Sequence, residues 1–284
     1  MKKNVMSLIQ VIILTTIYVI VVSIVTGILF TTGFDFPEMM VAKSVSFLQL
    51  IFAGLISSFL VVYVSNRYKQ LKKLNFFLIV FCILFLSNFS VAIEGIIFTP
   101  ELITNSVLLS LFIQQILIGL IFSSIATIMN MRRLIGADEP GLNSKSLDFT
   151  FILKIAAGSL TYMLMYYVWG RVNYSLFTKP FYDMGISGLN VPSTFTLIKY
   201  IFVRGILITL SIVPFLKFAQ PDNPRKKYET GIILFMFGGV IPLSLTLGIF
   251  PLDFALYSLA EIFLQNFLAG IIIYKIFCGK IITR

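Results

Sequence analysis

Four ionisable side chains, Glu94, Lys199, Arg204 and Glu261, stand inside long apolar runs. In hydrocarbon such groups are costly, so each is a candidate for ligand binding or for a buried ion pair. Glu94 follows Ser87 and Ser90 at helical spacing, with Asn88 adjacent, which places these polar atoms along one side of a helix. Glu261 has Gln265 one turn further on, and Arg204 shares a face with Thr196, Tyr200 and Ser211. Four amides, Gln114, Gln115, Gln265 and Asn266, fall near the middle of their runs. In this chemistry Glu94 and Glu261 could hold a cation or a proton, Arg204 an anionic group, and the amides could orient a polar substrate. The bland alternative is that one glutamate merely neutralises Arg204 in a buried pair. A third use of two carboxylates is as acid and base in an intramembrane enzyme acting on lipid. Lys154 lies close to the end of its run and reads as a snorkelling side chain.

Much other chemistry is excluded. The chain has no histidine, so Ser-His-Asp catalysis, histidine metal sites and histidine proton relays are ruled out. There is no P-loop, no H-E-x-x-H, no Cys-x-x-Cys and no G-x-S-x-G. No cofactor or metal is expected. The two cysteines, Cys82 and Cys278, are expected as free thiols.

The elements that must carry these residues follow from composition. The 284 residues are 58% hydrophobic and 12% charged, with a mean hydropathy of +0.98. Soluble domains carry about 25% charge. A bilayer, not a soluble core, can accommodate this chain. Runs of about 20 apolar residues span the hydrocarbon core, and eight are present, near 6–30, 44–65, 75–98, 102–130, 149–170, 195–217, 229–250 and 253–278. The segment RVNYSLFTKPFYDMGISGLNVPS then reads as an interfacial loop anchored by Trp169, Tyr174, Phe181 and Tyr182, or as a lid.

The net charge of +10 is a topology signal. With the N-terminus inside, sixteen Lys and Arg residues fall on the cytoplasmic side and three, Lys43, Arg171 and Lys179, outside. This predicts a plasma-membrane protein with both termini cytoplasmic, whose basic loops contact anionic lipid and not nucleic acid. The four site charges then belong to the outer half of the membrane.

An internal match at an offset of 151 residues pairs Pro100 with Pro251, Gln114 with Gln265, Gly119 with Gly270 and Gly54 with Gly205. It predicts an all-α integral membrane protein of about eight helices in two parallel four-helix repeats (4+4). The first is 1–130 and the second 149–284, joined by a cytoplasmic linker, 131–148, and related by a pseudo-two-fold axis along the membrane normal. The charges break the match: Glu94 aligns with Leu245, Glu261 with Ser110 and Arg204 with Ala53. The resulting expectation is a transporter or flippase-like protein. Its substrate would be a small polar or amphipathic molecule, including lipid, bound in an outward-facing cavity between the halves. The candidate ligands are Glu94, Glu261, Arg204, Gln114, Gln115, Gln265, Asn266, Lys199 and Asn88. A non-catalytic immunity, sensor or assembly partner is the alternative.

Overall fold

The computed structural model describes residues 2–36, 47–68, 71–131, 134, 149–219, 225–245 and 247–279, with side chains from Met6 onward. Most of the 131–148 linker, and the basic residues Lys43, Lys69, Arg132, Arg133, Lys145, Lys280 and Arg284, lie outside the described residues. The described chain is helical, with no strand. Eight helices are long and apolar enough to cross a membrane: α1 (Met6–Thr31), α2 (Phe47–Arg67), α3 (Lys73–Phe98), α4 (Asn105–Asn130), α5 (Phe149–Asp183), α6 (Thr194–Phe218), α7 (Lys226–Leu245) and α8 (Leu252–Cys278). The chain is an all-α, multi-pass membrane protein.

The helices close into a ring. In order around it, α1 packs on α2, α2 on α7, α7 on α8, α8 on α5, α5 on α6, α6 on α3, α3 on α4 and α4 back on α1. The outer stripes remain apolar and exposed, as with Ile9, Ile13, Ile20, Ile24 and Ile28 on α1. Exposed aliphatic stripes of this kind suit lipid, not water. Small residues set the closest approaches. A Cβ on Gly270 of α8 would lie 2.6 Å from the Gly231 Cα of α7, and one on Gly205 of α6 would lie 2.7 Å from the Ser159 carbonyl of α5. Without a hydrophobic drive between helices in lipid, such backbone contact carries much of the packing.

Two helices are longer or less regular than apolar length implies. The segment after residue 170, expected as a loop, continues α5 through Asp183. Its route is a π turn over Tyr174–Thr178, ending just before Pro180. The second π turn, Met236–Val240 in α7, ends just before Pro242. Proline cannot donate to the carbonyl four residues earlier and its ring clashes there, so the helix widens upstream instead of breaking.

The face where α1 begins and α8 ends, called the termini face here, is closed by polar side chains. Gln10 Nε2 donates to Asn130 Oδ1 at 2.7 Å, joining α1 to α4. Tyr63 Oη donates to Glu229 Oε1 at 2.8 Å, and Tyr68 donates to the other oxygen, joining α2 to α7. Burial, then the Glu229 carboxylate, pushes the Tyr68 hydroxyl above the ordinary tyrosine range, so its proton stays on the phenol. Lys226 is fully buried. Its ammonium donates to the carbonyls of Leu216, at 2.9 Å, and Ala219, satisfying acceptors left free at the end of α6. Sequence counting places this lysine in a cytoplasmic loop, whereas the structure puts it in the first turn of α7. Lys154 likewise donates to the Phe277 carbonyl at 3.3 Å near the end of α8.

Gly270→Leu would force α7 and α8 apart at their tightest point. Overpacking of this kind costs about 1–3 kcal/mol. The expected result is a clear fall in the unfolding midpoint of the purified protein, with Gly27→Leu, which has open space around it, close to wild type.

Candidate functional site

On the opposite face, where α1 ends and α8 begins, the ring encloses a cavity of about 830 Å³. All eight helices contribute to its wall. It extends from the ends of the helices down to Tyr18, Asn88, Ile118 and Gly238. Beneath it the bundle is packed: Tyr18 meets Phe122 edge-on at 5.3 Å, and Ser87 Oγ donates to Ser211 Oγ at 3.1 Å. The cavity is therefore a blind pocket, sealed toward the termini face.

Its polar centre is an ion pair. Arg204 of α6 is 0% exposed and its Nη1 lies 2.6 Å from Oε2 of Glu94 on α3, which is 25% exposed. The approach is off the hydrogen-bonding direction, and Nε and Nη2 have no hydrogen-bond partner among the described residues. The guanidinium is instead wrapped by aromatic faces, 5.6 Å from the Tyr162 ring centroid and 5.5 Å from that of Tyr166. Such stacking stabilises a desolvated cation by up to about 2 kcal/mol. Tyr166 also donates its hydroxyl to Glu94 Oε1 at 2.6 Å. One tyrosine thus touches both charges and ties α5 to the α3–α6 pair.

Glu261 of α8 lines the same cavity but makes no ion pair among the described residues. Asn173 Nδ2 of α5 donates to its Oε2 at 2.6 Å. Its Oε1 faces Gly170, where a Cβ would lie 3.2 Å away. The small residue leaves room for the carboxylate.

The structure gathers some of the sequence candidates and separates others. Glu94, Glu261, Arg204, Asn88, Gln114 and Gln115 all line the cavity. Gln114 Nε2 donates to Thr26 Oγ1 of α1 at 2.7 Å, whereas Asn88 Oδ1 is buried without a partner among the described residues. Gln265 and Asn266 are fully buried and are absent from the cavity wall. Asn266 donates to the Leu234 carbonyl at 3.3 Å, holding α8 on α7. Neither amide atom of Gln265 has a partner among the described residues. Lys199 is exposed on α6, over the Tyr200 ring at 5.4 Å, and does not line the cavity.

Sequence reasoning missed Tyr162, Tyr166 and Asn173. Their signal was Tyr162, Tyr166, Gly170 and Asn173 recurring every three or four residues on α5, a polar stripe hidden among aromatics. The segment 171–193, expected as an interfacial loop or lid, forms part of the mouth: Leu189, Val191 and Pro192 line it. Ser187, in a left-handed conformation with φ 55°, donates to the Ile249 carbonyl at 2.8 Å. That bond fastens the α5–α6 connection to the α7–α8 connection. Asn190 N donates to the Phe98 carbonyl at 2.9 Å, fastening it to α3 as well.

Comparison of the chain with protein-family models, curated proteins and solved structures finds no match.

Glu94→Gln should destabilise the fold by leaving Arg204 buried without a counter-charge. Breaking a buried pair costs about 3–5 kcal/mol, and the partial exposure of Glu94 puts the expectation at about the lower end. The double variant Glu94→Gln/Arg204→Met should recover most of the loss. Thermal unfolding of wild type, Glu94→Gln, Arg204→Met and the double variant measures this; equal loss in the double variant would mean the charges are not coupled.

Proposed function

We propose that this is a transporter or flippase-like protein of the plasma membrane, with both termini cytoplasmic, that binds an amphipathic substrate, lipid included, between two four-helix halves. The observation that carries the reading is the single cavity of about 830 Å³ lined jointly by Glu94, Arg204 and Glu261. Its size falls within the ordinary range for small-molecule sites, about 300–1,000 Å³. Its wall is mostly apolar and aromatic, with the Glu94–Arg204 pair, Asn88 and Gln114 set below the helix ends, so a polar head would sit low and an apolar body higher. A partner subunit with no ligand would be better served by a sealed ion pair than by one exposed to a blind pocket.

The duplication into 1–130 and 149–284, with linker 131–148, is part of the proposal. Helix packing supports it. Adding four to each helix number turns α1–α2 into α5–α6, α1–α4 into α5–α8 and α3–α4 into α7–α8, all of which are packed pairs. The contact α3–α6 between halves likewise becomes α7–α2. Gly54 faces the Thr15 carbonyl of α1 as Gly205 faces the Ser159 carbonyl of α5. Thr15 to Gly54 spans 39 residues and Ser159 to Gly205 spans 46. The seven extra residues fall where α5 is prolonged, which accounts for the ungapped match missing α1 and α5. A two-fold arrangement places a substrate path at the interface between repeats.

The test uses Gln115→Cys in a background with Cys82 and Cys278 replaced by Ser. A membrane-impermeant maleimide should label it from the face opposite the termini. Transport by alternating access requires labelling from the termini face as well, slowly, in the same membranes. Uptake or export of the substrate identified by screening vesicles should then be lost in Glu261→Gln, and in Glu94→Gln and Arg204→Ala after correction for the folded fraction of each. Labelling from neither face would leave a sealed partner protein as the better account.

A further inference from the structure

Among the described residues that line the cavity, Glu261 is the acidic group without an ion-pair partner. Glu94, the other deep carboxylate, is neutralised by Arg204 at 2.6 Å. Around Glu261 the described residues supply one amide donor, Asn173, at 2.6 Å, and no basic group within ion-pair distance. Arg171 also lines the cavity, from an exposed position on α5, and makes no ion pair with it. A carboxylate at this depth without a counter-charge either keeps a proton or draws a cation to it.

The surroundings indicate what kind of cation fits. Tyr174, next in sequence to Asn173, lines the same cavity. The Tyr174 ring lies 5.5 Å from that of Tyr182, and Tyr182 lies 6.2 Å from Phe254. Phe254 is two turns from Glu261 on the same side of α8, and both line the cavity, as do Tyr174 and Tyr182. Aromatic rings lining the same cavity as a carboxylate suit large, weakly hydrated cations such as quaternary ammonium groups. A metal ion would need several hard oxygen ligands. No cluster of three acidic, histidine or cysteine groups exists among the described residues.

We infer that Glu261, with Tyr174, Tyr182 and Phe254, forms a binding site for an organic cation, a quaternary onium or amine carrying apolar substituents. The inference rests on reading the cavity as a substrate site, and names the substrate's charged group. The positive centre sits between the aromatic rings and the carboxylate, and its apolar substituents occupy the remaining volume of the cavity.

The experiment is equilibrium dialysis of the purified full chain in a neutral maltoside detergent against radiolabelled tetraphenylphosphonium, subtracting binding to protein-free micelles. Tetraphenylborate, of the same shape and opposite charge, runs in parallel. The cation should bind saturably at one per chain. Glu261→Gln should weaken it at least tenfold and Glu261→Asp by only a few fold. Tyr182→Leu and Phe254→Leu should weaken it several fold, and Glu101→Gln, at the exposed α3–α4 turn, should leave it unchanged. Each variant is first matched to wild type by elution profile and unfolding midpoint; if Glu261→Gln fails that check, the two aromatic variants decide. Equal binding by wild type and Glu261→Gln overturns the inference. So does saturable binding of the borate but not the phosphonium, an outcome that leaves the cavity as a substrate site. Binding of neither probe also overturns it, and cysteine labelling at residue 115 then decides separately whether the substrate-site reading falls too.

Discussion

A guanidinium with no access to water has to be answered from within the bundle, and the arrangement around Arg204 follows from that requirement. Its counter-charge comes from α3, its aromatic walls from α5, and its own anchorage from α6. Those three helices cannot separate without stranding a charge in a low-dielectric setting. Tyr166 makes the dependence mutual, because it bonds Glu94 while stacking on Arg204. The α3–α6 contact is thus fixed by electrostatics and not by apolar packing alone. The cavity exists on the other side of the same pair, where Glu94 remains partly exposed.

The eight spans were legible in the sequence because apolar length is a one-dimensional signal, and most ends fall within a few residues of expectation. The α5 end was not. A charged and proline-bearing stretch, Arg171 to Pro180, reads as loop by composition, yet a π turn upstream of Pro180 carries the helix on. Burial was harder still. Lys226 looks like any loop lysine in a sequence, and only the end of α6 folded over it reveals a cap. Lys199 and Arg204 are neighbours in sequence and both lie within a span, yet one is exposed and the other is fully buried. Five residues correspond to more than one helical turn, so their sides differ, and hydropathy carries no record of which side faces the bundle. The amides show the same limit: Gln114 reaches the cavity, while Gln265, its counterpart in the internal match, does not.

On the proposed duplication, that last contrast bears on how two similar halves would make one site. In the first half, Gln114 of α4 bonds Thr26 of α1. In the second, the corresponding helices α8 and α5 are linked instead by Glu261 and Asn173, nearer the mouth. Arg204 and Glu94 have no equivalents across the match. Packing surfaces, which need only small residues and a repeated spacing, can stay alike in both halves. A binding centre on or near a pseudo-two-fold axis meets one ligand once, so its charges gain nothing from repetition, and duplicated carboxylates would repel one another.

The contacts α3–α6 and α2–α7, with α3 also packed on α7, are unequal, and this bears on how a blind cavity could open on its closed side. Along α3–α6 the helices are joined by the ion pair and by Ser87 to Ser211. Along α2–α7 the joins are polar and lie toward the two ends: Gln49 to the Leu247 carbonyl at 2.6 Å on one face, and Tyr63 and Tyr68 to Glu229 on the other. A rearrangement along either seam that exposes the cavity to the termini face would have different costs. Parting α3 from α6 would strand Arg204 away from Glu94. Parting α2 from α7 near Glu229 exposes a carboxylate and two phenols close to the helix ends, where water can replace each bond at small net cost. The softer seam is therefore the one carrying Glu229, and the ion pair at the centre of the cavity is the part of the interface that holds still.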